Sequence, residues 1–145
     1  MIKNNILIAA DHAGLGLKAA LCEFFMENGI KFTDLGTNDE KSCDYADFAH
    51  SLCERLGENS FGVLVCGTGI GMSVAANRHK GVRCALCADA TSARLAREHN
   101  NANVLALGAR IIGTSLAFDI VQTFINTHFQ GGRHEKRVEK IELKN

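Results

Sequence analysis

Residues 61–76 read F-G-V-L-V-C-G-T-G-I-G-M-S-V-A-A: a short apolar run, a glycine turn, then small residues suited to a helix. Val63, Leu64 and Val65 lack polar alternation, as expected of a strand covered on both faces in a parallel sheet. Cys66 falls at the carboxyl end of that strand. Gly67, Gly69 and Gly71 let the backbone turn sharply and direct successive N–H groups, including that of Ile70, at one spot, an anion cradle. Open α/β sheets bind ligands outside the carboxyl ends of their strands, so a thiol beside this cradle stands where chemistry is usually done. The same residues have a plainer use. Free cysteine is among the most buried residue types, and glycine at a strand-to-helix turn also serves geometry alone.

Upstream, residues 5–10 (N-I-L-I-A-A) predict a buried strand, with Asp11-His12-Ala13-Gly14 as the loop after it. An amphipathic helix then runs to about Asn28, where Asn28-Gly29 stops it. Residues 30–35 form a second strand, followed by a polar loop over 36–45 and a helix over about 47–56 with Phe48, Leu52 and Leu56 at helical spacing. The helix after the glycine turn ends near Asn77, and residues 83–88 make a fourth strand. Asp89 to Thr91 offer side-chain caps for a helix to His99. A fifth strand over 104–107, a helix over about 114–129 and, past Gly131-Gly132, a charged tail over 133–145 suited to a short last helix complete the chain. Strands alternating with helices predict α/β architecture: one doubly wound, Rossmann-like domain over residues 1–145, with a five-stranded parallel sheet, helices on both faces and a C-terminal helical tail.

A chain of 145 residues suffices to bury roughly 68–70% of its unfolded surface in a single core. The six cysteines, at positions 22, 43, 53, 66, 84 and 87, lack the spacing of a small secreted disulfide scaffold, and no leader peptide is evident, so reduced thiols and a cytoplasmic setting are expected. No apolar run approaches the ~20 residues of a membrane span. Sixteen basic and sixteen acidic residues cancel, which leaves no electrostatic footprint for nucleic acid or a charged membrane. Any anionic ligand must be small and held locally. The chain contains no proline, so its turns rest on Gly, Asn and Asp.

In a parallel sheet the carboxyl-edge loops would carry Asp11 and His12, Cys66 to Gly71, and Asp89, with Tyr45 on the long loop after the second strand. His99 and Asn100 instead follow a helix, which puts them at the opposite edge and points to a site shared between subunits. His50, His79 and His128 read as surface or internally satisfied residues. Arg133 and Arg137 are four apart, on one face of a helical turn, where two guanidiniums can chelate phosphate oxygens or simply face solvent. Cys84 and Cys87 form a C-x-x-C string, but three residues apart on a strand they point to opposite faces, which favours packing over metal or dithiol chemistry. A dinucleotide fingerprint is excluded by spacing: the string is G-T-G-I-G at the third strand, and no second half follows to hold a second nucleotide. A P-loop string is also absent.

Taken together, Asp11-His12-Ala13-Gly14, Asp44-Tyr45, C-G-T-G-I-G at residues 66–71, Ala75-Ala76-Asn77, His99-Asn100 with Asn103-Val104-Leu105, and Gly132-Arg133-His134 with Arg137 resemble the type B ribose-5-phosphate isomerase family, which includes galactose-6-phosphate and allose-6-phosphate isomerases. The resemblance runs through nearly the whole chain. It implies an aldose–ketose isomerisation of ribose 5-phosphate and ribulose 5-phosphate through a cis-enediolate, a step of the non-oxidative pentose phosphate pathway, with Cys66 as the base, Thr68 bonding the reacting hydroxyls and His99 as the ring-opening acid/base. An unassisted thiol is mostly protonated at neutral pH, so the amino terminus of the third helix and nearby N–H groups are expected to help. The backbone of Gly67, Gly69, Ile70 and Gly71 would stabilise the enediolate oxygen, an oxyanion-hole role in place of a phosphate cradle. His12, Arg133 and Arg137 match phosphate-binding positions, and Asp11, Tyr45, Asn100 and Arg110 match positions lining the sugar. The resemblance further implies a homodimer, with a tetramer also open, whose shared pocket takes His99, Asn100 and Arg110 from the neighbouring subunit.

One departure is visible: Ala46 stands where the family has proline, which leaves the loop carrying Tyr45 less restrained. Some relatives use a glutamate beyond the glycine loop as base, but Ile70-Gly71-Met72-Ser73 offers no carboxylate. The resemblance calls for neither metal nor cofactor. Two alternatives stay open from the sequence: a hexose-6-phosphate isomerase of the same family, and a module that binds a phosphorylated ligand without turning it over.

Overall fold

A computed structural model describes residues 2–144; Met1 and Asn145, the two ends of the expected domain, lie outside the described residues. The five strands are β1 (Asn5–Ala10), β2 (Phe32–Asp34), β3 (Ser60–Cys66), β4 (Cys84–Leu86) and β5 (Val104–Gly108). The helices are α1 (Leu15–Glu27), α2 (Tyr45–Arg55), α3 (Ile70–Ala76), α4 (Ala90–Asn100), α5 (Thr114–Asn126) and α6 (Arg133–Glu139). All strand pairs are parallel, in the order β2-β1-β3-β5-β4. The expected Rossmann-like sheet with a C-terminal helical tail is what the chain forms.

The period of two along the strands decides which layer each side chain enters. Ile6, Ile8, Phe61, Val63 and Val65 pack in one core with α1, α4 and α5, where Phe25 and Phe124 are also fully buried. Leu7, Ala9, Leu64 and Cys66 face the other layer, against α2 and α3. Each large side chain so buried contributes about 1.5–3 kcal/mol. Cys84 packs on the second cluster and Cys87 in the first, on opposite faces as their spacing predicts.

The two edge strands are shorter than their apolar patterns suggest. The N–H of Ile30 closes the end of α1 by donating to the Phe25 carbonyl at 2.9 Å, with Gly29 at φ +64°, so β2 starts only at Phe32. Asn103 and Asn77 side chains take the N–H groups of Arg83 and Cys84, both at 2.8 Å, where β4 begins, and the strand ends at Leu86. The fifth helix stops at Asn126 rather than near residue 129, because Thr127 turns extended and its carbonyl accepts from Arg97 Nε at 3.0 Å. Asp89 caps α4 by accepting the Ser92 N–H at 2.6 Å.

Candidate active site

The strand order places the topological switch between β1 and β3, since the chain leaves β1 for β2 on one side and returns to β3 on the other. Crevices at the carboxyl edge of such a switch point receive ligands. An open cleft of about 500 Å³ lies there, lined by Asp11, His12, Tyr45, Cys66, Gly67, Thr68, Ile70, Gly71 and Arg110, together with Ala13 and Val74.

Cys66 is the last residue of β3 and only 5% exposed. Its sulfur accepts the N–H of Gly69 at 3.2 Å, so the turn directs one of its own donors at the thiol. Gly69 itself has φ +80°, the left-handed region where glycine is favoured. The Ile70 N–H donates to Thr68 Oγ1 at 3.2 Å, which leaves the Thr68 hydroxyl hydrogen free to face a ligand. Two of the cradle's N–H groups are therefore spent internally, and those of Gly67, Thr68 and Gly71 are the donors it can offer. Gly69 is not among the residues lining the cleft. Gly71 has a steric reason to lack a side chain: a Cβ there would lie 2.6 Å from Tyr45 Cζ, so glycine admits the tyrosine ring onto the turn.

Asp11 is buried, and its Oδ1 accepts from the N–H groups of Ala13 and Gly14 at 3.0 and 3.1 Å, capping a short 3-10 turn over His12–Gly14. Its other oxygen remains for the cleft. His12 Nδ1 accepts the backbone N–H of Cys43 at 3.2 Å. A backbone N–H can only donate, so Nδ1 carries no proton in this arrangement and Nε2 carries one as a donor. Cys43 therefore belongs to the site's support although no motif singled it out.

Three expectations need correction. Arg110, assigned to a neighbouring subunit, lines the cleft of its own chain: its N–H donates to the Gly67 carbonyl at 2.8 Å, and its guanidinium runs beside Gly67. The reason is that Arg110 follows β5, directly beside β3 in the sheet. Arg133 and Arg137 do not accompany His12. They lie on α6 at the amino edge, where His134 stacks on His99 with ring centroids 4.4 Å apart and 15° between planes. Finally, Tyr45 is the first residue of α2 rather than part of a loose loop; Asp44 enters the helix extended, and its carbonyl accepts the Asp47 N–H at 3.1 Å.

His99 and Asn100, at the end of α4, stand where the sequence puts them, at the opposite edge from Cys66. The five residues of β5 correspond to roughly 15 Å between the edges at ~3.3 Å per residue. The cleft is flanked by an exposed apolar strip of Ile70, Val74, Leu86 and Ile111. Burial pushes the thiols of Cys53 and Cys87 up to about 11, and raises those of Cys22 and Cys84 as well. His50 and His79 bond each other at 2.7 Å, satisfied as expected. Among the described residues no group of three or more His, Cys, Asp or Glu is placed to hold a metal, and no helix is long and apolar enough to cross a membrane.

Residues 6–141 match the family model described as Ribose/Galactose Isomerase. Ribose-5-phosphate isomerase B of Escherichia coli is 40% identical over 138 residues, 94% of this chain and 93% of its own length. The crystal structure of a ribose 5-phosphate isomerase from Thermotoga maritima superposes with a TM-score of 0.92 at 51% identity, covering 94% of this chain and 96% of that one. Ribose-5-phosphate isomerase B from Mycoplasma genitalium, solved with bound ribulose-5-phosphate, gives a TM-score of 0.91 at 42% identity, covering 94% and 93%.

Proposed function

The chain belongs to the ribose/galactose isomerase family, and from that premise we propose that it interconverts ribose 5-phosphate and ribulose 5-phosphate through a cis-enediolate, with Cys66 as the base. The observation that carries this reading is the placement of Cys66 Sγ at the floor of the cleft, receiving the Gly69 N–H beside the three uncommitted donors of Gly67, Thr68 and Gly71.

In the open-chain aldose, the Cys66 thiolate takes the proton from C2, and the electron pair moves to leave negative charge on O1. The N–H groups of Gly67, Thr68 and Gly71 hold that oxygen, in a setting where fixed donors need no reorganisation as the charge develops. Returning the proton to C1, while the Thr68 hydroxyl passes a proton from O2 to O1, completes the ketose. Asp11 and Tyr45 hold sugar hydroxyls. His12, as an Nε2–H donor, and the Arg110 guanidinium are the charged and polar partners that the cleft supplies from its own chain.

The sugar phosphate arrives mainly as a closed furanose, so a group must move a proton from the anomeric hydroxyl to the ring oxygen. That role belongs to His99, with Asn100, Arg133 and Arg137 beside it, brought to the cleft by a second copy of the chain. The separation between the two edges and the apolar strip beside the cleft support a homodimer with shared sites. Reduced thiols and a cytoplasmic location fit this chemistry. The test is conversion of ribose 5-phosphate to ketose by the purified protein in the presence of chelator, beside galactose 6-phosphate and allose 6-phosphate. Preference for the pentose is expected. A hexose preference would keep the mechanism and move the substrate, and binding without turnover of any of them would overturn the activity.

A further inference from the structure

Lys18 is a charged residue on the apolar face of α1, in line with Leu21 and Phe25, and only 2% exposed. Its ammonium is held by three acceptors: both carboxylate oxygens of Asp34 at 2.7 Å and Asn38 Oδ1 at 2.8 Å. Removing an ammonium from water is costly, and replacing a buried ion pair by apolar side chains of similar volume is often neutral for stability. Stability alone therefore does not account for a lysine here.

What the lysine fastens is the segment that leads from β2 to Tyr45, which lines the cleft. At its root, Gly36 N–H donates to Asp34 Oδ1 at 2.9 Å, while Ala10 N–H donates to the Gly36 carbonyl and Thr37 N–H to the Ala10 carbonyl, both at 2.8 Å. Lys18 adds Asn38, and the tip is tightened by the Lys41 N–H on Asp39 Oδ1 at 2.9 Å. At the far end the Cys43 N–H reaches His12 Nδ1, and Tyr45 opens α2 two residues later. His12 and Lys18 lie on one continuous stretch, so the segment over residues 36–44 is tied at both ends to the piece of chain that carries Asp11 and His12.

We infer that Lys18 is a positioning residue for substrate binding: clamped on Asp34 and Asn38, it holds the 36–44 segment where Cys43 fixes the His12 tautomer and Tyr45 covers Gly71. This rests on the cleft being the sugar-phosphate site. Asp34 is 30% exposed at its side chain, so water can take its oxygens when the ammonium is removed, and Lys18→Met is expected to fold.

The experiment compares Lys18→Met, Lys18→Arg and Asn38→Ala with the wild type by steady-state kinetics and by the spectrum of Tyr45. The chain has one tyrosine and no tryptophan, so phenol fluorescence and the tyrosine ring NMR signals report this position alone. Lys18→Met is expected to raise KM roughly fivefold or more, with a smaller fall in kcat, to shift the Tyr45 signals and to change the His12 ring-nitrogen shifts. Lys18→Arg should restore part of each. A KM and Tyr45 spectrum unchanged in Lys18→Met would overturn the inference. If Lys18→Met did not fold, the exposed Asn38→Ala would decide: a raised KM with shifted Tyr45 signals supports the clamp, and wild-type values for both overturn it. The Tyr45 and His12 signals are read on free protein, so they decide the clamp even if the wild type turned over no sugar phosphate, an outcome that would fail the proposed activity instead.

Discussion

Cys66 owes its placement to two local facts, the period of two along β3 and the turn that follows it. The first points the side chain into the α2/α3 layer at the strand's end. The second brings the Gly69 N–H onto its sulfur. Cys66→Ser keeps both in outline and replaces the base by a much weaker one. Turnover should fall ~10²-fold or more, the range for losing a general base, while binding of the sugar phosphate followed by calorimetry persists. Unchanged turnover would remove Cys66 from the mechanism. At this scale much of the cleft's lining was legible, because the glycine turn with its strand-end cysteine, and separately Asp11-His12, are each signals carried by neighbours in sequence. Lys18 was not singled out from the sequence: its spacing from Leu21 and Phe25 puts a charge on a buried face, but nothing in the string names Asp34 and Asn38 as its partners.

Elements fixed by their own side chains follow the sequence closely, and those fixed by distant groups do not. β1 spans the residues its apolar run predicts, and α4 begins at the Asp89 cap. The starts of β2 and β4 are set by carbonyl and amide groups from α1, Asn77 and Asn103, whose approach no local pattern encodes. The docking of α6 on α4 is likewise tertiary and is expected to weaken in acid. Burial first, then the charges of His99, Arg133 and Arg137, hold the His134 imidazole below its ordinary value of 6.5. The folded state thus favours neutral His134, and its contribution to docking is complete above the ordinary value and lost as pH falls through the lowered one. Protection of the α6 amides, taken relative to their base-catalysed intrinsic exchange rates, should fall on acidification below about pH 6.5, and His134→Phe, which retains an aromatic stack without a titration, should flatten that dependence. An equal loss of protection in both proteins would contradict a role for the His134 proton.

On the scale of the molecule, one chain holds two separate sets of groups: Cys66 with Arg110 and His12 at the carboxyl edge, and His99 with Arg133 and Arg137 at the amino edge. If two copies share sites, Cys66→Ser and His99→Asn damage opposite contributors to each site. Mixing the two inactive variants under conditions of subunit exchange should then restore about a quarter of wild-type turnover, since about half the dimers are hybrid and each has one intact site. A mixture no more active than its components would mean that each site is built from one chain. The sequence by itself determined the fold class, the turn after β3 and the family, because apolar periodicity, glycine spacing and short motifs are properties of neighbours in the chain. Only the tertiary structure decided the strand order that opens the cleft between β1 and β3, the return of Arg110 to its own chain's cleft, the separation of Arg133 and Arg137 from His12, and the partners of Lys18. Those depend on which strands lie side by side and which layer each helix covers, and the free energy that selects among such arrangements comes from burial shared over the whole core rather than from any one stretch of sequence.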